Sequence, residues 1–237
     1  MNYEQARFNM IEQQIRPWEV LDNQVLSLLA LVRREDFVPL AHRALSFVDM
    51  EIPLDAGAAS KREPGQCMLA PKVEARILQD LAVQKHEKVL EIGTGSGYMA
   101  ALLAHRGQQV VTLEIDAGLA ALARINLQRS GVYNAEVIHR DGAGNLGSIQ
   151  GGHGAEDDLL TGPFDVIVLS GSVAAVPASL LSLLKIGGRL SAIVGFEPIM
   201  RATLITRVDD KAWRTTQAWD TVAPRLLNFP EPSSFTF

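Results

Sequence analysis

The most constraining feature of this sequence is a short run of β-forming residues that passes directly into a loop of three glycines. The run is Val89 to Ile92, and the loop carries Gly93, Gly95 and Gly97. Glycine adopts backbone conformations that other residues avoid, so such a turn lets the chain approach a ligand closely and start a helix at once. The pattern predicts a strand, a loop and a helix in succession, with a ligand site at the loop.

The spacing of the glycines excludes two common types of nucleotide loop. A dinucleotide-binding fingerprint needs its third glycine at position 98, which is occupied by Tyr98. A triphosphate-binding loop needs a Gly-Lys-Ser/Thr sequence, which does not follow here. What remains is a G-x-G-x-G loop with an acidic residue, Glu91, two positions before the first glycine.

From residue 88 onward, short β-forming runs alternate with helical ones. The predicted strands cover residues 89–92, 110–114, 135–139, 164–169 and 189–194, and the predicted helices cover 98–105, 117–128 and 177–184. This alternation produces right-handed crossovers and a mostly parallel sheet. We predict a closing antiparallel pair at 202–208 and 212–221, and an excursion between the third and fourth strands at 144–161.

Acidic residues end three successive predicted strands: Glu91 the first, Glu114 the second, and Asp141 just beyond the third. Parallel strands end at one edge of a sheet, where ligands bind in such folds. S-adenosylmethionine offers matching groups, since Glu91 can balance its α-ammonium, Glu114 can accept from its ribose diol and Asp141 from its adenine amine. The predicted cofactor residues are Glu91, Gly93, Thr94, Gly95, Ser96, Gly97, Glu114, Ile115, Asp141 and Gly142.

Each of these features also has a purely structural explanation. The glycines can form a simple tight turn, Glu114 can be a charge at a helix N-terminus, and Asp141 can be a turn former. Their occurrence together in one β-α-β-α-β unit favours cofactor binding. We therefore predict an α/β fold of the class I S-adenosylmethionine-dependent methyltransferases, Rossmann-like with a mostly parallel seven-stranded sheet, preceded by an N-terminal helical segment.

The composition bounds the domain organisation and the partners. The 237 residues, 47% of them hydrophobic, can bury one large core. We expect a single methyltransferase domain over 1–237, with a helical and acceptor-loop region at 1–82 and the cofactor-binding core at 83–237. The net charge of -5 disfavours a nucleic-acid partner. A single cysteine and no signal-like or membrane-spanning run favour a cytoplasmic protein without membrane association. The histidine spacing predicts no metal site.

Motifs along the chain resemble those of the protein-L-isoaspartate O-methyltransferase family. Residues 89–98 are similar to its cofactor loop, 34–39 to its "PREFFVP" segment, 47–54 to its "Y-x-D-x-x-L" stretch, and 187–190 to its "GG-R/K-L" turn. The resemblance runs from about residue 21 to 194. It implies methyl transfer from S-adenosylmethionine to the free carboxylate of isoaspartyl residues in damaged proteins. A carboxylate is already ionised at pH 7, so such a reaction depends on positioning more than on a strong base.

The acceptor segment departs from the pattern of this family. After Gly65 and Gln66, where the family has Thr-Ile-Ser, this chain has Cys67-Met68-Leu69. Cys67 therefore aligns with the family's threonine and Leu69 with the serine that the resemblance implies is catalytic. The loop before this segment is also longer than in the family. Ser60 or Lys61 of that loop is therefore one alternative for holding the acceptor carboxylate, and the backbone N–H groups of the Cys67-Met68-Leu69 segment are another.

Other functions stay open at this point. The chain can be a methyltransferase with a small-molecule or a different protein acceptor, a non-catalytic S-adenosylmethionine-binding protein, or a nucleic-acid methyltransferase, which the net charge disfavours. Ser172, after the fourth strand, is predicted either to contact the acceptor or to cap the next helix. The sequence does not predict an oligomeric state.

Overall fold

A computed structural model describes residues 2–54, 65–144, 146 and 155–231 of the protein. The α-helices in this part of the chain are α1 (Tyr3–Met10), α2 (Asn23–Leu31), α3 (Pro71–Leu81), α4 (Tyr98–Arg106), α5 (Ala117–Arg129), α6 (Ala155–Leu160) and α7 (Ala178–Ser182). The strands are β1 (Ile52–Pro53), β2 (Cys67–Met68), β3 (Lys88–Ile92), β4 (Gln109–Glu114), β5 (Ala135–His139), β6 (Phe164–Val173), β7 (Leu184–Phe196), β8 (Ile199–Asp209) and β9 (Ala212–Thr221).

The N-terminal segment is helical and packs on one face of the main sheet. Helix α2 begins after Asp22, whose carboxylate accepts the Gln24 N–H at 2.7 Å and so caps the helix. Buried side chains of this segment, among them Ile15 and Leu29, share one hydrophobic core with Val89 of β3. Burial of this shared apolar surface holds the segment to the sheet.

The main sheet has seven strands in the order β5-β4-β3-β6-β7-β8-β9. The first five pair in parallel, and β8 and β9 are antiparallel. This confirms the predicted mostly parallel sheet and its closing antiparallel pair. The chain moves outward from β3 to β5 and then returns to β6 on the other side of β3. Such a change of direction opens a crevice at the carboxyl ends of the strands, where α/β proteins bind ligands.

The structure corrects the sequence prediction around β6 and β7. Strand β6 continues to Val173, and β7 already begins at Leu184, so the helix predicted at 177–184 is only Ala178–Ser182. Gly188, expected to stop that helix, lies within β7. A Cβ there would lie 3.0 Å from the carbonyl oxygen of Asp165, so the glycine allows the two strands to approach closely.

Helix α6 ends the predicted excursion, of which residue 145 and residues 147–154 lie outside the described part of the chain. Of the helices in the described residues, none is both long enough and apolar enough to cross a membrane.

Candidate active site

A cleft lies across the carboxyl ends of the central strands. It is partly open to solvent, and the empty space within its lining, open solvent included, is about 690 Å³. Six of the predicted cofactor residues line it, namely Gly93, Gly95, Glu114, Ile115, Asp141 and Gly142. The topology thus brings residues from three separate strand ends to one site.

Glu114 ends β4 and is fixed by the backbone around it. Its carboxylate accepts the Gly95 N–H at 2.8 Å and the Asp116 N–H at 3.0 Å. Burial raises the pKa of Glu114, and the N–H groups of Asp116 and Gly95 oppose that rise. A carboxylate offers about four acceptor positions, so about two are free for hydroxyl groups of a ligand. Glu114 can therefore hold a ribose diol.

Asp141 follows β5 and faces the same cleft. One carboxylate oxygen accepts the Ala143 N–H at 2.9 Å, and the other accepts from the side-chain amide of Asn228 at 2.7 Å. The next residue must be small, because a Cβ on Gly142 would lie 2.3 Å from Cγ2 of Ile92. The Asp-Gly pair thus holds the carboxylate close to the glycine loop.

The glycine loop needs the conformational freedom of its glycines. Gly93, Gly95 and Gly97 have φ values of +94°, +54° and +86°, in the left-handed region. Gly97 has a second role, since a Cβ there would lie 3.3 Å from Cβ of Ala123 in α5. Only the first two glycines face the cleft, and the third allows close packing between the helices.

Four predicted cofactor residues do not line the cleft: Glu91, Thr94, Ser96 and Gly97. Side chains alternate along a strand, so Glu91 points to the opposite face from Ile92, which does line the cleft. The Glu91 carboxylate accepts from the hydroxyls of Ser170 and Thr112, both at 2.7 Å. Glu91 therefore supports the loop from beneath the cleft, and the prediction that it balances a ligand ammonium, directly or through water, stays a prediction.

The other two side chains also support the loop. The Thr94 hydroxyl lies 2.6 Å from that of Thr112, and the carbonyl of Ser96 accepts from the Asn126 amide at 2.9 Å. Both residues are buried. Ser170, which sequence reasoning missed, lines the cleft and connects it to Glu91.

The burial of Glu91 makes stability depend on pH. Burial raises its pKa to about 7 from a usual 4.5, although hydrogen bonds from Ser170 and Thr112 oppose the rise. Folding thus favours the neutral carboxyl group, and its stabilising contribution is fully present below pH 4.5 and lost as the pH rises through about 7. We expect Glu91→Gln to flatten the fall in the free energy of unfolding over this range, measured by urea denaturation.

The fall should not vanish in that variant, because burial also raises the pKa of Glu74 to about 7. The exposed Glu136→Gln variant is the control and should keep the wild-type slope. An unchanged slope in Glu91→Gln would show that Glu91 is already ionised at low pH in the folded protein.

Cys67 lies in β2 and lines the cleft. Burial, followed by the nearby carboxylate of Glu51, raises the pKa of its thiol to about 12. The thiol therefore stays protonated at neutral pH and is unsuited to act as a nucleophile. It can still donate a weak hydrogen bond, which in this structure goes to Glu51.

Leu69 does not face the cleft. Its side chain is buried in the hydrophobic core, and its carbonyl oxygen accepts from Nη2 of Arg34 at 2.9 Å. The position that aligns with the family's serine thus supplies no side-chain donor to the site, which corrects its assignment as a catalytic candidate. Ser60, the remaining catalytic candidate, and Lys61 lie outside the described residues.

A serine placed at position 69 tests this orientation. We expect Leu69→Ser to lower the free energy of unfolding by about 3 kcal/mol, because it removes buried methyl groups and buries a hydroxyl. Methyl transfer should not increase. Chemical denaturation and an activity assay measure the two effects, with Cys67→Ser as the matched substitution on the cleft side. A more active Leu69→Ser protein of unchanged stability would mean that the side chain reaches the cleft.

The buried side chain of Arg34 joins the acceptor segment to helices α3 and α4. Arg34 is fully buried and lies 3.6 Å from the carboxylate of Glu74 in α3. Its guanidinium also stacks at 5.4 Å over the ring of Tyr98, the first residue of α4. Together with the hydrogen bond to the Leu69 carbonyl, these contacts join α3, α4 and the acceptor segment that contains Leu69 and precedes α3.

Gln66 lines the cleft and was not assigned to the site from sequence, although it stands in a family motif. Its amide nitrogen lies 3.5 Å from the Asp116 carboxylate, near the ribose position. Its amide oxygen is buried and has no hydrogen-bond partner among the described residues. Such an acceptor is satisfied by a ligand that donates there.

The C-terminal segment, residues 222–231, covers part of the cleft. Arg225, Leu226, Leu227 and Phe229 line it, and a Cβ on Gly93 would lie 2.9 Å from Cδ2 of Leu226. The hydroxyl of Ser172 donates to the Ala223 carbonyl at 2.8 Å. Ser172 therefore anchors this segment. It does not cap the next helix, because α7 begins only at Ala178, and its predicted contact with the acceptor is not supported, because it is fully buried and does not line the cleft.

Over the described ranges, no three His, Cys, Asp or Glu side chains are grouped so that they could hold an ion.

The parallel sheet, its switch point and the cleft beside the glycine loop define a class I methyltransferase fold. The family model described as Protein-L-isoaspartate(D-aspartate) O-methyltransferase (PCMT) matches residues 5–222. The chain belongs to this family, which confirms the predicted fold class and family.

Individual proteins agree with this assignment. The chain is 35% identical over 201 residues to a protein-L-isoaspartate O-methyltransferase of Koribacter versatilis, covering 85% of this chain and 81% of that one. It is 34% identical over 212 residues to protein-L-isoaspartate O-methyltransferase 2 of Marinobacter nauticus, covering 89% and 88%.

A solved structure shares the fold over nearly the whole chain. It is a Plasmodium falciparum protein assigned as a protein-L-isoaspartate O-methyltransferase, in complex with S-adenosyl-L-homocysteine. The TM-score is 0.68 at 19% identity, with 95% of this chain and 99% of that chain covered.

Proposed function

We propose that this chain is an S-adenosylmethionine-dependent O-methyltransferase that methylates the free carboxylate of isoaspartyl residues in proteins. The observation that carries the proposal is the cleft in which Glu114 and Asp141 flank Gly93 and Gly95. It occurs in a chain whose relatives in Koribacter versatilis and Marinobacter nauticus carry the name of this enzyme.

The residues of the cleft fit this cofactor. Glu114 has acceptor positions for a ribose diol, Asp141 has a carboxylate for an adenine amine, and Gln66 has an unpaired buried oxygen. Gly93 and Gly95 line the cleft, and without side chains their backbone can come close to a ligand. When bound, S-adenosylmethionine supplies a sulfonium methyl group that a carboxylate oxygen can accept.

The chain's own part in the reaction is to hold and orient. The acceptor carboxylate is ionised at neutral pH, so no residue has to remove a proton from it. The cleft agrees with this, because Cys67 is protonated at that pH and Glu91 points away from the ligand. The catalytic effect then comes from fixing the acceptor in line with the methyl group, which replaces a bimolecular encounter.

A transfer assay tests the proposed function. Purified protein is incubated with methyl-labelled S-adenosylmethionine and an isoaspartyl peptide, with the aspartyl peptide of the same sequence as the control. We expect base-labile label on the isoaspartyl peptide only, because the product is a methyl ester. Equal labelling of the two peptides, or none, would contradict the isoaspartyl assignment.

A second candidate function keeps the cofactor and changes the acceptor to a small molecule or another protein site. One observation favours it: the segment from Cys67 to Ala70 presents no side-chain hydroxyl to the cleft. Binding of S-adenosylhomocysteine by calorimetry, without transfer to the isoaspartyl peptide, would support this candidate.

A further inference from the structure

We propose that Arg225 binds the carboxylate of the methyl acceptor, as the residue of this chain that recognises the substrate. The inference rests on the proposed function and adds to it the group that holds the acceptor. It addresses a gap in the site, since Leu69 faces the core and Cys67 is a weak donor. A bound carboxylate needs strong donors beside the reacting methyl group.

The order of the strands places Arg225 at the reacting end of the cleft. Along the sheet edge, Asp141 follows β5, Glu114 ends β4, the glycine loop follows β3, and Ser170 lies in β6. Adenine at Asp141 and ribose at Glu114 direct the methionine part of the cofactor toward β3 and β6. Arg225 lies beyond that point, because it forms a parallel bridge with Ser172 of β6.

The guanidinium of Arg225 is held in place and still has donors to offer. Nε lies 2.8 Å from the carboxylate of Glu231, Nη1 lies 3.4 Å from Oγ of Ser172, and the group stacks at 5.0 Å over the ring of Phe196. An arginine carries five N–H donors. Within the described part of the chain, Nη2 has no hydrogen-bond acceptor, so that edge is available to a ligand.

Glu231 shows what this guanidinium binds. A carboxylate already sits on Nε, and the Glu231 side chain is 46% exposed, so it can leave when another carboxylate arrives. Arginine binds carboxylates through two parallel hydrogen bonds, which fixes orientation as well as position. An acceptor bound in this way would present one carboxylate oxygen toward Ser170 and the methyl group.

Arg140 also lines the cleft but is placed for a different part of the ligand. It directly precedes Asp141 at the end of β5, and its guanidinium is bound to Asp157 at 2.7 Å. That position is at the adenine end, on the far side of Glu114 from Ser170. Of the two arginines among the described residues that line the cleft, Arg225 is therefore the one beside the reacting atoms.

Steady-state kinetics with the isoaspartyl peptide test the inference on the full chain. We expect Arg225→Ala to raise KM for the peptide on the order of 10- to 100-fold, with S-adenosylhomocysteine affinity unchanged by calorimetry. Arg225→Lys should lie between this variant and the wild type, since lysine keeps the charge but not the two-point geometry. Arg214→Ala, on the exposed face of β9, is the control.

Glu231→Gln separates recognition from a structural role. It removes the competing carboxylate, so we expect KM for the peptide to fall, whereas loss of a merely structural ion pair would leave KM unchanged or raise it. A peptide with a carboxamide in place of the free carboxylate should bind the wild type more weakly than the isoaspartyl peptide, and Arg225→Ala should not discriminate between the two.

Two results would overturn the inference. One is an unchanged KM in Arg225→Ala while the wild type methylates the isoaspartyl peptide, which leaves the proposed function intact. The other is loss of S-adenosylhomocysteine affinity in both Arg225 variants with KM unaltered in Glu231→Gln, which assigns Arg225 to support of the C-terminal segment. If the wild type transfers no methyl group to the peptide, the proposed function fails and this inference fails with it.

Discussion

The Glu114→Ala variant should bind S-adenosylhomocysteine on the order of 100-fold more weakly than the wild type. The substitution removes the acceptor for the ribose hydroxyls and also leaves the N–H groups of Gly95 and Asp116 without their partner. Hydrogen bonds to a charged group contribute about 1.5–3 kcal/mol, and unpaired buried donors add a further cost. Isothermal titration calorimetry measures the affinity.

Two further variants define the cause of this loss. Glu114→Gln keeps one side-chain oxygen and should retain part of the affinity. Glu136→Ala removes an exposed carboxylate from β5 and should bind as the wild type does. If Glu114→Ala is folded and binds with unchanged affinity, the ribose is held elsewhere.

At a pH well above 7, where Glu74 is ionised in the wild type despite its raised pKa of about 7, the Arg34→Met variant should be less stable than the wild type by about 3–5 kcal/mol, because it leaves the carboxyl group of Glu74 buried without a cation. The Leu69 carbonyl loses its donor as well. For a chain of this size, the melting temperature should fall by on the order of 10 °C. Differential scanning calorimetry measures the change.

The double variant Arg34→Met with Glu74→Gln identifies the buried charge as the cause. It should recover part of the lost stability, since the uncompensated carboxylate is gone. Arg33→Met, at an exposed neighbouring position, should melt near the wild-type temperature. A double variant that is as unstable as the sum of its single variants would show that Arg34 and Glu74 act independently.

The fold could be predicted because its determinants are local in sequence. Strands β3, β4 and β5 are short β-forming runs, Glu114 ends β4, and Asp141 lies two residues beyond the end of β5. Parallel pairing then brings those ends together without further information. The limits of β7 were wrong because its pairing with β6, and not the local glycines, decides where that strand begins.

The site could be predicted only in part. Glu91 belongs to the same motif as the glycines, yet the alternation of side chains along β3 turns it away from the cleft. Arg225 and Leu226 reach the site from the far end of the sequence, and no short-range pattern signals such a contact. The single-domain assignment and the cofactor residues stay predictions, supported by the shared core and by the lining of the cleft.

The C-terminal segment has a consequence for how the site assembles. The hydrogen bond between Thr112 and Glu91 beneath the loop joins residues 21 apart in sequence, whereas the bond between Asn228 and Asp141 across the cleft joins residues 87 apart. Closing a longer chain loop costs more entropy, so contacts of the first kind should form earlier in folding than those of the second. The contacts beneath the glycine loop should therefore form before the C-terminal segment covers the cleft. A ligand that binds only the covered form should slow amide exchange most at Leu226, whose N–H is bonded to the Ser172 carbonyl.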